Sequence, residues 1–389
     1  MNTKIDLKNV WLYIICIPFL YPRGFGEFFN GYLVFFKTWM YCSILLIALS
    51  ITYNVLINRI KVNRAIIYME IYFIYAIGVT IIQLGKIGEG LQKLFAVPVF
   101  CTFCMFYIKK DCKRFVYILS NIFMTIYFLG CTVFSPIIFR MITGQSDQHI
   151  IFLGHVQMMS QMGILSIFLA ILLWKYNSKI KARWLFILTI LNMLISQTAA
   201  SYICITIILV AYISRKILYN TVSHLKIRFS SIFIIMLVLN IIIVFCVVYF
   251  KINFGARYFI YVDAIEQVLQ RPLLGYGVYG TNIHVFWSAW TNNGIGFNYA
   301  HNDLLQQLLD GGCIKLIIYT IMIYKMINNS ENKNSMRIKT WEYIILICLF
   351  LISVCESVSE YVYFFIIIML INNIHDMNMC RRDKDECYR

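Results

Sequence analysis

The chain has 389 residues, of which 61% are hydrophobic and 13% are charged, and its formal net charge is +16. A soluble domain could not bury so large an apolar fraction, so this composition excludes an ordinary globular protein and predicts an all-α, polytopic membrane protein. The positive charge would favour nucleic-acid binding in a soluble protein, but here its distribution along the chain indicates membrane topology and argues against a nucleic-acid partner.

Twelve apolar runs have the composition of membrane-spanning helices. They cover residues 10–20, 31–57, 65–84, 94–108, 115–139, 150–174, 184–197, 201–213, 230–250, 313–327, 342–355 and 361–374. The runs 184–197 and 201–213 are short for a crossing of the bilayer. The sequence therefore predicts a bundle of about twelve transmembrane helices, with residues 1–389 forming a single integral membrane domain.

The polar segments between these runs alternate in charge. One set, which includes both chain ends, contains 25 of the 34 Lys and Arg residues, and the other set contains seven. Basic segments remain on the cytoplasmic side of a membrane, so we expect both termini in the cytoplasm. None of the 13 cysteines lies between 251 and 312, so no disulfide is expected there, and Cys101 and Cys104 are interpreted as packing residues of an apolar helix.

The one long segment on the predicted external side runs from 251 to 312. Its residues 256–270 have an apolar stripe at helical spacing, formed by Tyr258, Val262, Ile265 and Leu269. This pattern predicts a short amphipathic helix along the outer membrane surface. Arg257 falls in the first turn of that helix, where the helix dipole disfavours a cation. This position indicates a role for the arginine other than helix stability.

A glycine cluster and an aromatic stretch follow this helix. In "GYGVYG", Gly275, Gly277 and Gly280 permit left-handed backbone angles, and the segment is either a plain turn or a set of exposed N–H donors for an anion. Residues 281–300 are rich in aromatic side chains, which form either an interfacial belt or a stacking platform for sugar rings: Phe286, Trp287, Trp290, Phe297 and Tyr299.

The segment "AHNDLLQQLLDGG", residues 300–312, ends the external region. Asn302 or Asp303 is predicted to cap a short helix, with Gln306 completing a capping box from Asp303. Gly311 and Gly312, the glycine pair at the end of the segment, are expected to break the helix before the next span. His301 is then just outside a helix N-terminus, at the external rim of the bundle.

The order of these features resembles the shared signature of the O-antigen polymerase and O-antigen ligase superfamily. An arginine opens a helix, "PLLGYGVYG" follows, and His301-Asn302 leads to a glycine pair, over residues 256–312. The ligase motif of that family has Gly, Thr or Tyr at the position of Lys315. The family arginine in "S-R-G" has no counterpart in "SQTAAS" (196–201), so either it is missing or Arg140 supplies it.

The resemblance implies a polysaccharide polymerase of lipopolysaccharide biosynthesis in the bacterial inner membrane, with 251–312 as a periplasmic loop. Its substrate would be an undecaprenyl-diphosphate-linked oligosaccharide held at the membrane lipid, and a chain-length regulator protein is a partner implied by the resemblance alone. His301 would be the general base and Asn302 would orient the ring or the sugar. The diphosphate would be bound by a cationic and glycine-rich set: Arg257, Arg271, Arg140, Gly275 and Gly277.

Two alternatives stay open. The chain could be the sister ligase, which transfers glycan to the lipid A core, or a flippase for the same lipid-linked oligosaccharide. A transporter would concentrate polar residues at the bilayer midplane, whereas here they concentrate in one external segment.

The remaining ionisable groups add little to the predicted site. No cofactor or metal is expected, because the external acids are sparse. Glu70 is a candidate as an intramembrane carboxylate. His149 and His155 are interpreted as structural, and Glu356 and Glu360 as solvated.

Overall fold

The computed structural model describes most of the chain. The described residues are 7–56, 64–83, 92–144, 149–224, 228–252, 257–278, 299–328 and 336–373. The predicted aromatic stretch lies outside them except for Tyr299, and so does Gly280.

Fourteen α-helices make up these ranges. They are α1 (Leu7–Leu20), α2 (Asn30–Leu56), α3 (Arg64–Ile82), α4 (Val97–Cys131), α5 (Pro136–Thr143), α6 (Met158–Tyr176), α7 (Lys179–Ile195), α8 (Ala199–Ile213), α9 (Arg215–His224), α10 (Phe229–Tyr249), α11 (Arg257–Gln270), α12 (Asp303–Asn328), α13 (Met336–Cys355) and α14 (Val362–Asn373). Short helical turns cover Gly24–Glu27, Gln92–Ala96 and Val358–Glu360, and strands β1 (Ile150–Ile151) and β2 (Gly154–His155) pair antiparallel.

The predicted all-α membrane bundle is confirmed, since each of the twelve apolar runs falls on helix for most of its length. Among the described residues, seven helical segments are long and apolar enough to cross a membrane, or eight if the bent pair α8–α9 is one crossing. Several others, including α1 and α14, are shorter. The protein is therefore a multi-pass membrane protein, while the count of twelve crossings stays a prediction.

The structure corrects two span boundaries. The run predicted to begin at residue 150 starts with the β1–β2 hairpin, and its helix begins only at Met158. The runs 94–108 and 115–139 are joined in α4, because the basic segment between them is also helical. Asp111 has non-helical backbone angles at the junction, and its carboxylate accepts from the N–H of Arg114 at 3.1 Å. The two predicted spans thus meet at a capped kink rather than a loop.

The core is made of helices that are apolar all round. Every residue of α14 is buried, and so are 15 of the 19 residues of α6, whereas only a minority of the residues of α2 and α10 are buried. Helices that are hydrophobic on all faces suit either a protein core or a lipid contact. This distribution places α6 and α14 at the centre and leaves α2 and α10 facing the lipid.

The segments that the charge pattern assigns to the external side lie together at one end of the bundle. The N–H groups of Arg23 and Gly24 donate to the carbonyls of Leu153 and Phe152 at 3.2 and 3.0 Å. A Cβ on Gly24 would lie 2.0 Å from the carbonyl oxygen of Ile151, so only glycine fits this contact. The loop after α1 therefore packs on the β1–β2 hairpin. The side of the membrane that this end faces stays a prediction.

Candidate active site

The N-terminus of α12 fixes the position of His301. Asn302 caps the helix, because its Oδ1 accepts from the N–H of Leu305 at 3.0 Å. Its amide group also donates to Asn240 Oδ1 (2.8 Å) and to the carbonyl of Val354 (3.1 Å), which ties α12 to α10 and α13. These contacts of the Asn302 side chain thus hold the end of the helix. The role of Asn302 in orienting the ring or the sugar stays a prediction.

The predicted capping box is wrong in its register. With Asn302 as the cap, Gln306 lies one position beyond the residue that would close a box with it. Asp303 instead accepts from the backbone and the hydroxyl of Ser359, at 2.9 and 2.6 Å, and from Tyr319 at 2.7 Å. The predicted break at the glycine pair is confirmed by the non-helical angles of Gly311 and Gly312 within α12.

A buried carboxylate joins the two residues that the sequence favoured most. Glu356, directly after α13, is 4% exposed. Its Oε1 lies 3.2 Å from a terminal guanidinium nitrogen of Arg257, and its Oε2 lies 3.4 Å from Nδ1 of His301. The expectation that Glu356 is solvated is wrong, because three elements close around it. Arg257 and His301 therefore contact the same carboxylate, which fixes both side chains at one point.

Tyr299 covers the imidazole of His301. The two ring centroids are 3.9 Å apart with an interplanar angle of 38°. The Tyr299 hydroxyl lies 2.8 Å from Gln157 Oε1 and 3.4 Å from Glu356 Oε2. Burial raises the pKa of this hydroxyl above its ordinary value, and the neighbouring Glu356 carboxylate raises it further. The phenol is therefore a neutral donor beside the carboxylate.

A cavity of about 700 Å³ opens beside this group. Its polar lining includes Arg257 and Glu356, together with Arg140, His149 and Gln157. Residues of the "SQTAAS" segment line it as well, and its remaining wall is apolar: Ile195, Ile203, Ile243, Leu351, Ile352 and Val354. The structure thus brings Arg140 and the "SQTAAS" segment to the same cavity. The cavity combines cationic groups with an apolar wall between helices.

Arg271 lies apart from this cavity. Its guanidinium donates to Oε1 of Gln83 and lies over the ring of Tyr276, 4.7 Å from the centroid. It is not among the residues that line the cavity. The structure therefore separates Arg271 from Arg257 and Arg140, with which it was predicted to bind a diphosphate.

The glycine turn packs against the break in α12. A Cβ on Gly275, whose φ is +62°, would lie 2.4 Å from the carbonyl oxygen of Leu309. The N–H groups of Tyr276 and Gly277 donate to the carbonyls of Leu309 and Asp310 at 2.7 and 3.0 Å. These amides already have acceptors within the protein. Of the two interpretations of this segment, the structure favours a packed turn over a set of N–H donors for an anion.

The other predicted candidates are scattered. Glu70 accepts from the hydroxyl of Thr102 and is not part of the cavity. The rings of His149 and His155 are stacked with centroids 6.2 Å apart, and only His149 lines the cavity. Within the described ranges, no group of three or more His, Cys, Asp or Glu is placed to hold a metal ion. Metal-independent chemistry stays a prediction.

The comparisons with known proteins yield one partial similarity. The chain is 31% identical over 90 residues to a Rickettsia conorii protein described as "Putative polysaccharide ligase". The match covers 20% of this chain and 21% of that protein, so the chain spans about a fifth of the length of the curated relative it matches. No family model matches the chain. The similarity is compatible with a glycosyltransferase-like enzyme of polysaccharide biosynthesis.

Sequence reasoning missed Glu356 and Gln157 as parts of this group. Glu356 had a usable signal, because only five residues, "ESVSE", separate two apolar runs at this point. A carboxylate in so short a connection between buried helices has little access to water and needs a partner. Gln157 had no comparable signal, since it lies within the apolar run 150–174 that was predicted as a single span.

Proposed function

We propose that this protein is a glycosyltransferase that acts as a polysaccharide polymerase on lipid-linked glycans. It would transfer a glycan from undecaprenyl diphosphate onto a repeat unit held on a second undecaprenyl diphosphate, at the periplasmic face of a bacterial inner membrane. The single observation that carries this proposal is the pairing of Arg257 and His301 through Glu356, beside a part apolar, part cationic cavity that Arg257 and Glu356 line.

The arginines supply the charge that such a reaction needs. When the acceptor oxygen attacks the anomeric carbon, the bond from that carbon to the phosphate oxygen breaks and the diphosphate leaves with the electron pair. Glu356 already neutralises Arg257 in the free protein, so Arg140 provides the surplus positive charge in the cavity wall. Guanidinium groups suit a diphosphate, because they donate in a planar fork to its oxygens. Arg271 and the glycine turn have no part in this proposal.

His301 would accept the proton of the attacking hydroxyl. If Nδ1 carries a proton and donates to Glu356, Nε2 is the unprotonated nitrogen of the neutral imidazole and would act as the base. The carboxylate then stabilises the imidazolium that forms during transfer, as the acid does in other catalytic His–carboxylate pairs.

The apolar wall of the cavity suits the lipid part of the substrate. Ile203, Ile243 and Leu351 come from three different helices, α8, α10 and α13. A polyprenyl chain could therefore lie between membrane helices while its diphosphate reaches the arginines. A soluble nucleotide sugar would gain nothing from this wall.

A ligase is the second candidate, because the similar Rickettsia protein is described as one. Deletion of the gene distinguishes the candidates through the surface glycan on a gel. Loss of a polymerase leaves core that carries one repeat unit. Loss of a ligase leaves bare core while lipid-linked polymer accumulates. Loss of a flippase leaves bare core and single lipid-linked repeats inside the cell.

His301→Ala tests the site directly. Loss of a general base lowers the rate about 10²–10⁴-fold. We therefore expect this variant to form no polymer in a deletion strain while it inserts into the membrane at the wild-type level. His155→Ala is the matched control, since His155 is exposed on β2 and does not line the cavity. Full-length polymer from His301→Ala would remove His301 from the mechanism.

A further inference from the structure

His301 has a backbone conformation that needs support. Its φ is +49°, in the left-handed region that a residue with a Cβ rarely adopts. Such a conformation persists only where surrounding contacts determine it. The contacts that hold this turn therefore decide where the imidazole lies relative to Glu356.

A buried chain of three side chains reaches this turn from within the bundle. Gln306 Oε1 accepts from the N–H of Ala300, the residue before His301, at 2.8 Å. Gln306 Nε2 donates to Asp310 Oδ1 at 2.7 Å, and Lys315 Nζ donates to Asp310 Oδ2 at 2.7 Å. All three side chains are almost fully buried. Each hydrogen bond of this chain is short, and both the oxygen and the nitrogen of the Gln306 amide have a partner.

The chain spans the break in α12. Gln306 and Asp310 are four residues apart and lie on one face of the first half of the helix, whereas Lys315 belongs to the second half. A Cβ on Gly311 would lie 2.5 Å from the Lys315 side chain, so the glycine lets the lysine fold back onto Asp310. The ion pair therefore fixes Gln306 from both halves of the broken helix.

Packing alone does not explain this chain. Charged groups are expensive to bury, and apolar residues of similar volume often serve the fold equally well. Here the buried polar groups end on a backbone N–H that belongs to the turn of His301. The chain has the geometry of a support for that turn.

We infer that Gln306 is a positioning residue for His301 and that the Asp310–Lys315 ion pair holds Gln306 in place. This inference rests on the proposed function for its effect on rate. The Tyr261 hydroxyl also donates to the carbonyl of His301, at 3.3 Å, but only the Gln306 contact holds the N–H before His301. Without the Gln306 contact, the Ala300–His301 turn would lose the shorter of these two supports, and the imidazole would leave its alignment with Glu356. A misplacement of about 1 Å can cost a catalyst about 10²-fold in rate.

Three variants test this inference. Gln306→Met keeps the volume and removes both hydrogen bonds, and we expect kcat to fall about 10–100-fold with little change in KM. Gln306→Glu is the conservative rescue, since a protonated carboxyl can accept from Ala300 and donate to Asp310, and it should recover most of kcat. Gln307→Met is the matched control. Gln307 is equally buried and bonds to Tyr72 and Ser359 instead of the His301 turn.

A second measurement does not depend on glycan transfer. Diethyl pyrocarbonate modifies accessible neutral imidazoles, and mass spectrometry gives the rate for each histidine. We expect His301 to react several-fold faster in Gln306→Met than in the wild type or in Gln307→Met. The exposed His155 should react at one rate in all of them and serves as the internal reference.

The two measurements separate the two hypotheses. Equal kcat and equal His301 modification in the Gln306→Met and Gln307→Met variants would overturn the positioning role. A changed His301 modification in a protein that transfers no glycan would support that role and overturn the proposed function. If Gln306→Met does not fold, the double variant Asp310→Leu/Lys315→Met removes the support without leaving a lone buried charge. It is judged by the same two measurements.

Discussion

The two ends of helix α11 each carry an arginine beside a feature that the sequence marked as functional, yet the structure gives them different surroundings. Arg257 pairs with the buried Glu356 in the cavity wall, while Arg271 contacts Gln83 and the ring of Tyr276 next to the glycine turn. Fourteen residue steps separate them, which is about 21 Å along a helix axis. Only Arg257 lines the cavity. Helix length and the different contacts of the two side chains thus place Arg271 away from the group that Arg257 forms with Glu356 and His301.

The largest effect on the rate is expected at Glu356, the carboxylate that pairs with Arg257. Glu356→Gln removes the charge and puts an amide next to His301 Nδ1, which favours the wrong imidazole tautomer. We expect the rate of polymer formation to fall about 10³–10⁴-fold, as for other His–carboxylate pairs. The measurement is polymer formed from purified lipid-linked repeat units. Glu360→Gln, in the same turn, is the control and should lose far less activity.

Substitution of the two arginines tests the comparison itself. Arg257→Ala removes a group that would stabilise the leaving diphosphate, so we expect a loss of about 10²–10³-fold. Arg271→Ala removes an exposed hydrogen bond to Gln83 and should change the rate about threefold or less, in line with a weak surface contact. Both are measured in the same polymerisation assay. Equal losses in the two variants would contradict the separation of the two ends.

The glycine turn should affect stability rather than rate. Gly275→Ala places a Cβ against backbone atoms of α12 at a φ of +62°, which costs about 1–3 kcal/mol or more. We expect less folded protein and a lower Tm in detergent, with the rate per folded molecule retained. Gly78→Ala, where no atom lies within 4 Å of the added Cβ, is the matched control. A normal Tm together with a loss of rate would contradict this expectation and favour the earlier prediction that Gly275 binds the substrate.

The smallest effect is expected at Tyr299. Tyr299→Phe keeps the ring over His301 and removes one hydrogen bond, which is worth about 0.5–1.5 kcal/mol, so the rate should fall about tenfold or less. Because the pKa of this hydroxyl is raised, it stays protonated at every pH below its ordinary value of about 10. The pH–rate profile should therefore keep its shape between pH 5 and 9. A lost or shifted limb in the variant would show that Tyr299 itself titrates.

The candidate site was partly predictable from the sequence, and the reason differs from one residue to the next. His301 and Arg257 were predicted as site residues because their order and spacing along one segment form a motif that the sequence alone displays. Glu356 was judged solvated, although it lies 99 residues from Arg257 and 55 from His301 in contact with both. Gln306 was assigned to a capping box with Asp303, because sequence patterns at a helix start predict hydrogen bonds within the first turn of the helix. They do not predict its actual contact with Ala300, in the turn before the helix.

The sequence by itself determined the membrane class, the all-α architecture and the placement of most helices, since a helix satisfies the backbone hydrogen bonds of an apolar run within that run. It also marked the helix start beside His301, because capping is decided within a few residues. Only the tertiary structure decided which charged groups meet. Burial of Glu356 between α11, α12 and α13 depends on how three helices pack, and so does the cavity that Arg257 lines and Arg271 does not.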